Sequence, residues 1–183
     1  MCTGKKQLIF IHGTMGVGKS TVCAALQKRL TPSVYLDGDW CWEMEPFCPT
    51  QADKDMVMDN IVHLLRNFLH HDTLRYVLFS WVMHETRIID QLLDRLPRDL
   101  FDLRVFTLVC TEPALRDRLQ KDIRRGVRQA DILARSLPRL ALYQSMPYPK
   151  IDVSEQSAAQ AAAAIASRVL GADDMGKTGK TKE

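Results

Sequence analysis

The sequence predicts an α/β fold of three layers, with a five-stranded parallel sheet covered by helices on both faces. Three observations carry this. Short apolar runs alternate with longer stretches of helical periodicity. The first run, residues 7–12, is apolar almost throughout instead of alternating, as expected of a strand buried on both sides. The residues best suited to chemistry, at 13–20, 37–39, 80–85 and 110–112, follow the ends of such runs, where parallel sheets bind ligands. A length of 183 residues, 46% of them hydrophobic and 26% charged, fits one globular domain. A net charge of +3 argues against a disordered tail protein, a collagen-like fibre or a strongly basic nucleic-acid binder.

The elements follow in order. After the first strand and a glycine-rich turn, Val22, Leu26 and Leu30 line one face of a helix over about 18–30, stopped by Pro32. Residues 34–36 form a second strand that ends in Asp37-Gly38-Asp39. A loop at 40–50 carries Trp40, Trp42 and Phe47 between prolines. Val57, Ile61, Leu64, Leu65 and Phe68 give a helix over about 51–70. A strand at 76–79 precedes a helix over 88–96, and a strand at 103–110 precedes a helix marked by Leu115, Leu119 and Ile123. An Arg-rich stretch and a helix to about residue 145 follow, then a short strand at 150–153. Ser154 reads as the N-cap of an alanine-rich helix ending at Leu170, and 171–183 reads as a disordered tail.

No apolar run approaches the roughly 18 residues of a membrane span, so no membrane association is expected. The stretch after Lys5-Lys6 is too short for a secretory leader. Five cysteines without a Cys-x-x-Cys pair argue against a disulfide framework or a zinc site, and a cytoplasmic setting is the expectation.

Gly13-Thr14-Met15-Gly16-Val17-Gly18-Lys19-Ser20 matches Gly-x4-Gly-Lys-Ser/Thr, between a buried strand and a helix. Glycines let backbone N–H groups point inward at phosphate oxygens, and the helix adds its positive end. Lys19 suits the β- and γ-phosphates of ATP and the Ser20 hydroxyl suits Mg²⁺, while Thr21 continues the cradle. Alternation puts Asp37 and Asp39 on one side of the chain. One of them can hold the metal's water shell while the other orients and deprotonates an acceptor hydroxyl, and spacing does not separate the two roles. Asp-Gly is also a common turn dipeptide, which accounts for the same residues without chemistry.

With its phosphate loop, Leu36-Asp37-Gly38-Asp39 and an Arg-rich segment after residues 108–112, the chain resembles the small P-loop kinases. That group includes nucleoside monophosphate, shikimate, gluconate and adenylylsulfate kinases and chloramphenicol phosphotransferase. The adenylylsulfate kinases carry a similar Leu-Asp-Gly-Asp, and the layout is also similar to P-loop proteins of the tunicamycin-resistance type. The resemblance covers about 7–170 and implies a P-loop NTPase fold, ATP with Mg²⁺ and a mobile lid. It makes 1–170 the kinase domain with a lid at about 121–135.

Residues 116–139 hold eight basic residues against three acidic ones. Pairs spaced i,i+4 on a solvated helix face account for Arg116 and Lys121. Arg125 and Arg128, near a possible hinge at Gly126, are candidates to steady the transferred phosphoryl group. By resemblance, Arg118 corresponds to an arginine near the adenine, and Arg139 opens an Arg-Leu-x-x-Tyr pattern whose arginine contacts phosphates.

Between Arg29 and Arg66 the only cation is Lys54, so a phosphate-bearing acceptor finds little to grip it there. Asp39, Trp40, Trp42, Trp81 and Arg139 instead suit a small neutral or cationic hydroxyl compound, although the aromatics equally suit packing of the loop. The expectation is therefore an enzyme that moves the γ-phosphate of ATP to a small-molecule hydroxyl, acting as a monomer or homodimer without nucleic acid. Two alternatives stand beside it: a nucleoside monophosphate kinase, and a nucleotide-hydrolysing switch without an acceptor. The third and fourth strands end without the acidic residue usual in switches, although Glu85 can substitute.

Overall fold

The structure is a computed structural model and describes residues 5–177. Its centre is β1 (Lys6–His12), flanked by β3 (Tyr76–Trp81) and β4 (Phe101–Val109), with β2 (Ser33–Asp37) and β5 (Lys150–Asp152) at the edges. The order is β2-β3-β1-β4-β5 and every pairing is parallel. This is the five-stranded sheet the apolar runs predicted.

The unbroken apolar character of β1 has a direct cause. Ile9 and Ile11 enter the core formed with α1 (Lys19–Gln27) and α7 (Ala158–Lys177). Leu8 and Phe10 enter the opposite core, formed with α2 (Gln51–His70) and α3 (Thr86–Leu93). All four side chains are fully buried, each contributing about 1.5–3 kcal/mol. Phe10 meets Phe79 of β3 edge-on at 5.0 Å, which fixes the register of the two strands on that face.

After β4 come α4 (Glu112–Arg124), α5 (Ile132–Ser136), a 3-10 turn at Leu137–Arg139 and α6 (Leu140–Ser145). α4 closes in a Schellman motif: Gly126 adopts φ 70°, its N–H bonds Ile123 O, and Val127 N–H bonds Asp122 O. Gly126 is thus a helix terminator held by two hydrogen bonds. The i,i+4 ion pairs of α4 behave as the spacing predicts, with Arg116 on Glu112 and Lys121 on Asp117, both at 2.7 Å.

Two boundaries differ from the sequence reading. Ser157, not Ser154, caps α7: its Oγ accepts from Gln160 N–H, and Gln160 Oε1 accepts from Ser157 N–H, a reciprocal box. Ser154 instead accepts from Thr111 N–H and donates to Asp152, tying the end of β5 to the start of α4. The second difference is at the C-terminus, where α7 continues through Gly171 to Lys177. A glycine costs a helix only about 1 kcal/mol, so neither Gly171 nor Gly176 by itself stops it. The remainder of the expected tail, 178–183, lies outside the described residues. Among the described residues no helix is long and apolar enough to cross a membrane.

Candidate active site

Residues 13–20 leave β1 and turn into α1. Gly18 is the N-cap of α1 in the left-handed region, at φ 109°. Gly16, at φ 80°, lies so close to α4 that a Cβ would stand 2.4 Å from Leu119 Cδ2. Only glycine serves at Gly16, because the loop must be left-handed and pressed against a helix at once. Thr14 pins the loop from behind, its buried Oγ1 donating to Ser136 O at 2.9 Å.

The loop forms one wall of a cavity of about 450 Å³. Residues 15–22 line it together with Asp39, Arg118, Asp122, Arg128 and the segment after β5. The cavity is long enough in one direction to join α1 to the β5–α7 connection, as a nucleotide requires.

Lys19 is buried, and its Nζ donates to the carbonyls of Gly13 at 3.1 Å and Thr14 at 3.2 Å. Burial pushes its pKa down, while the carboxylates of Asp39 and Asp37 pull the other way. The ammonium is held on weak backbone partners, ready for stronger anionic ones.

Asp37 ends β2, is buried, and is saturated with donors. Its Oδ2 accepts from Ser20 Oγ at 2.7 Å and from Tyr35 OH at 2.8 Å, and its Oδ1 accepts from Asp39 N–H at 3.1 Å. Tyr35 also bonds Ser80 at 2.8 Å, joining β2 to β3. Asp39 differs from Asp37 in that it stands open on the cavity. Desolvation by the surrounding walls raises its pKa, opposed first by Lys19 and later by Arg128 and a hydrogen bond from the Trp81 side chain. One carboxylate is fixed and bonded to Ser20, and the other is exposed and more basic than an ordinary aspartate.

The predicted residues divide accordingly. Met15, Gly16, Val17, Gly18, Lys19, Ser20, Thr21, Asp39, Arg118 and Arg128 line the cavity, whereas Gly13, Thr14 and Asp37 brace it. Arg118 Nη1 donates to Val17 O at 3.1 Å and Nη2 to the carbonyls of Ser154 and Val153, joining the two ends of the cavity. Arg128 Nε reaches Asp122 at 3.2 Å. Arg125, by contrast, is exposed at the C-cap of α4 and is not among the cavity-lining residues. Arg139 rests its guanidinium on the Met15 thioether at 3.9 Å, and Arg135 joins it at 4.0 Å.

Trp40 is 62% exposed, leans on Tyr35 at 5.9 Å and is not among the cavity-lining residues. Trp42 packs between Phe47 at 6.2 Å and Trp81 at 6.4 Å, so both readings of the aromatics are partly realised. Packing accounts for Trp42, and Trp81 reaches the site through Asp39.

Two contributors escaped the sequence reading. Tyr35 lies two residues before Asp37 and hence on the same side of β2, a signal that was available. His12 is fully buried at the end of β1; its Nδ1–H donates to Met83 O at 2.8 Å and its Nε2 accepts from Thr107 Oγ1 at 2.8 Å. Burial lowers its pKa to about 4.

A parallel sheet whose central strand runs into a phosphate loop, with a lysine and a serine-bonded aspartate at its mouth, defines a P-loop protein. The chain belongs to the AAA domain family, whose model matches residues 9–134. No curated protein matches the sequence. Among solved structures the chain is similar to the Deinococcus radiodurans tunicamycin resistance protein, at 20% identity and a TM-score of 0.66 over 90% of this chain and 96% of that one. It is also similar to a gluconokinase from Sinorhizobium meliloti 1021, at 20% identity and a TM-score of 0.65 over 92% and 96%. The Mycobacterium tuberculosis APS kinase, solved in complex with AMPPNP and APS, matches at 14% identity and a TM-score of 0.63 over 91% and 98%. The fold is that of the small P-loop kinases.

Proposed function

We propose that the chain is an ATP-dependent phosphotransferase that moves the γ-phosphate of ATP to a hydroxyl of a small molecule. The observation that carries the reading is the division of labour between Asp37 and Asp39. Asp37 is bonded to Ser20 at 2.7 Å, and Asp39 stands open on the cavity that Lys19 lines. An open, more basic carboxylate beside the phosphate loop suits deprotonation of an attacking hydroxyl. Similarity in fold to a gluconokinase and to an APS kinase supports transfer to a small molecule.

Ser20 and Asp37 are the residues to hold Mg²⁺. Their paired oxygens suit a hard ion that takes one or two protein ligands and keeps phosphate oxygens and water for the rest. Bound there, Mg²⁺ supplies charge neutralisation between the β- and γ-phosphates. Lys19 exchanges its carbonyl partners for phosphate oxygens. Asp39 accepts the acceptor's hydroxyl proton as that oxygen bonds to the γ-phosphorus. The bond from phosphorus to the β,γ-bridging oxygen breaks and its electron pair leaves with ADP. Arg128, between Asp122 and the cavity, steadies the transferred group, and Arg118 holds the base end.

The segment over about 121–135 serves as the lid, with Arg125 a candidate to turn inward on closure. Trp81 and Arg139 border the acceptor, and Trp40 and Trp42 form its outer rim.

The test is a screen of small hydroxyl compounds with ATP and Mg²⁺, read by mass for gain of a phosphate and repeated with Lys19→Ala. A phosphorylated product that requires Lys19 is expected. Strong phosphorylation of AMP, CMP or UMP instead makes the chain a nucleoside monophosphate kinase. ATP turnover that no compound accelerates makes it a switch.

A further inference from the structure

The cavity has two unlike ends. One is the phosphate loop with Lys19, and the other is the connection from β5 to α7, where Val153, Gln156 and Ala158 line the wall. Arg118 spans them, its guanidinium donating to Val17 O at the first end and to the carbonyls of Val153 and Ser154 at the second. With the phosphates held by the loop and the helix behind it, the base of a nucleotide falls at the second end.

The polar side chains around that end are engaged with protein partners. Ser154 Oγ donates to Asp152 at 2.6 Å and accepts from Thr111 N–H at 2.9 Å. Ser157 Oγ donates to Gln160 Oε1 at 2.8 Å. Arg118 spends N–H groups in its own plane on three carbonyls, which leaves its flat face to stack on a base. Val153 and Ala158 offer only apolar side chains. Gln156 is the exception. It lines the cavity, is exposed, and among the described residues its amide has no hydrogen-bond partner. The bonds of Ser154 and Ser157 fix the chain on both sides of it, so its backbone is set in advance while its amide stays available.

We propose that Gln156 reads the edge of the nucleobase and admits both adenine and guanine, so that ATP and GTP both serve as phosphoryl donors. This rests on the phosphotransferase reading and widens its donor. An amide presents an oxygen acceptor beside an N–H donor, and turning it over reverses their order. In one order it meets adenine, whose amino group donates and whose ring nitrogen accepts. In the other it meets guanine, whose carbonyl accepts and whose ring N–H donates. A lone amide therefore separates the two bases weakly. A carboxylate in the same place has acceptors only, which match the ring N–H and amino group of guanine and oppose the ring-nitrogen lone pair of adenine.

The test is the Kd of ATP, GTP and inorganic tripolyphosphate, measured by calorimetry for the wild type, Gln156→Leu and Gln156→Glu. Position 156 is exposed, so neither substitution disturbs the core. In the wild type, ATP and GTP are expected to bind within about tenfold of each other, both more tightly than tripolyphosphate. Gln156→Leu should weaken both nucleotides by about tenfold and leave tripolyphosphate unchanged. Gln156→Glu should move the ratio of the two Kd values toward GTP by about tenfold. Nucleotide affinities unmoved by leucine, a ratio unmoved by glutamate, or a wild-type preference for one base beyond about tenfold overturns the proposal. Tripolyphosphate that binds the wild type as tightly as the nucleotides overturns it as well. A wild type that binds none of the three is a different result, which removes the phosphotransferase reading itself.

Discussion

Ser20 and Asp37, seventeen residues apart, are joined by a 2.7 Å hydrogen bond across the mouth of the phosphate loop. The bond couples the first turn of α1 to the end of β2, so the serine and the carboxylate arrive as a preformed pair. Tyr35 and the Asp39 N–H complete the cage and leave Asp37 no freedom to rotate.

Asp37→Asn is therefore expected to act on Mg²⁺. The amide keeps the shape of the cage but loses the charge, and loss of such a carboxylate lowers metal affinity about 10–100-fold. Transfer rates measured against Mg²⁺ concentration should show the midpoint shifted upward by that factor, with nucleotide binding in the absence of metal unchanged. An unshifted midpoint removes Asp37 from the metal site.

Asp39→Asn is expected to retain ATP binding and lose about 10²–10⁴-fold in transfer, the usual worth of a general base. The pH dependence gives a second reading. The folded pKa of Asp39 is raised, so its neutral form is the one the fold favours. Its stabilising share is fully present below the ordinary aspartate range and is lost as pH rises through the raised value. Activity runs the opposite way, since the base must be ionised. The acid limb of the rate profile should lie above the ordinary aspartate range in the wild type. The melting temperature of Asp39→Asn should gain on the wild type as pH rises through that limb. A wild-type limb at the ordinary value contradicts the assignment.

How far the sequence revealed these features depends on how local their causes are. The double-sided burial of β1 is written in four consecutive apolar residues, and the phosphate loop in eight adjacent ones. The Asp37–Asp39 pair was visible as a pair, but its division of roles was not, because the roles are set by Ser20 and Tyr35 on one side and an open cavity on the other. The cap at Ser157 was legible as Ser-x-x-Gln and lost to the nearer Ser154, which the fold uses to join two loops. Arg125 and Arg128 looked alike as neighbours in a basic run. The Schellman turn at Gly126 separates them, leaving one in solvent and the other in the cavity. His12 owes its character to partners scattered from residue 83 to residue 148, which no spacing along the chain exposes.

His12 gives the sharpest test of that non-local packing. Its ring is enclosed, edge-on to Tyr143 and Tyr148, with one nitrogen donating to Met83 and the other accepting from Thr107. Folding lowers its pKa from 6.5 to about 4, mainly by desolvation, with Lys19 adding repulsion. The unfolded chain therefore takes up a proton near pH 6.5, whereas the folded chain resists until about 4. Stability must fall as pH drops across that window, by roughly 3 kcal/mol from this residue alone. Proton-detected titration of the imidazoles should show His12 unmoved between pH 7.5 and 5, held as the Nδ1–H tautomer. Urea unfolding over the same pH range should lose stability more steeply than in His12→Gln. A His12 signal that titrates near 6.5 would mean that the end of β1 is open to water, and the enclosure of that ring by Tyr143 and Tyr148 would have to be abandoned.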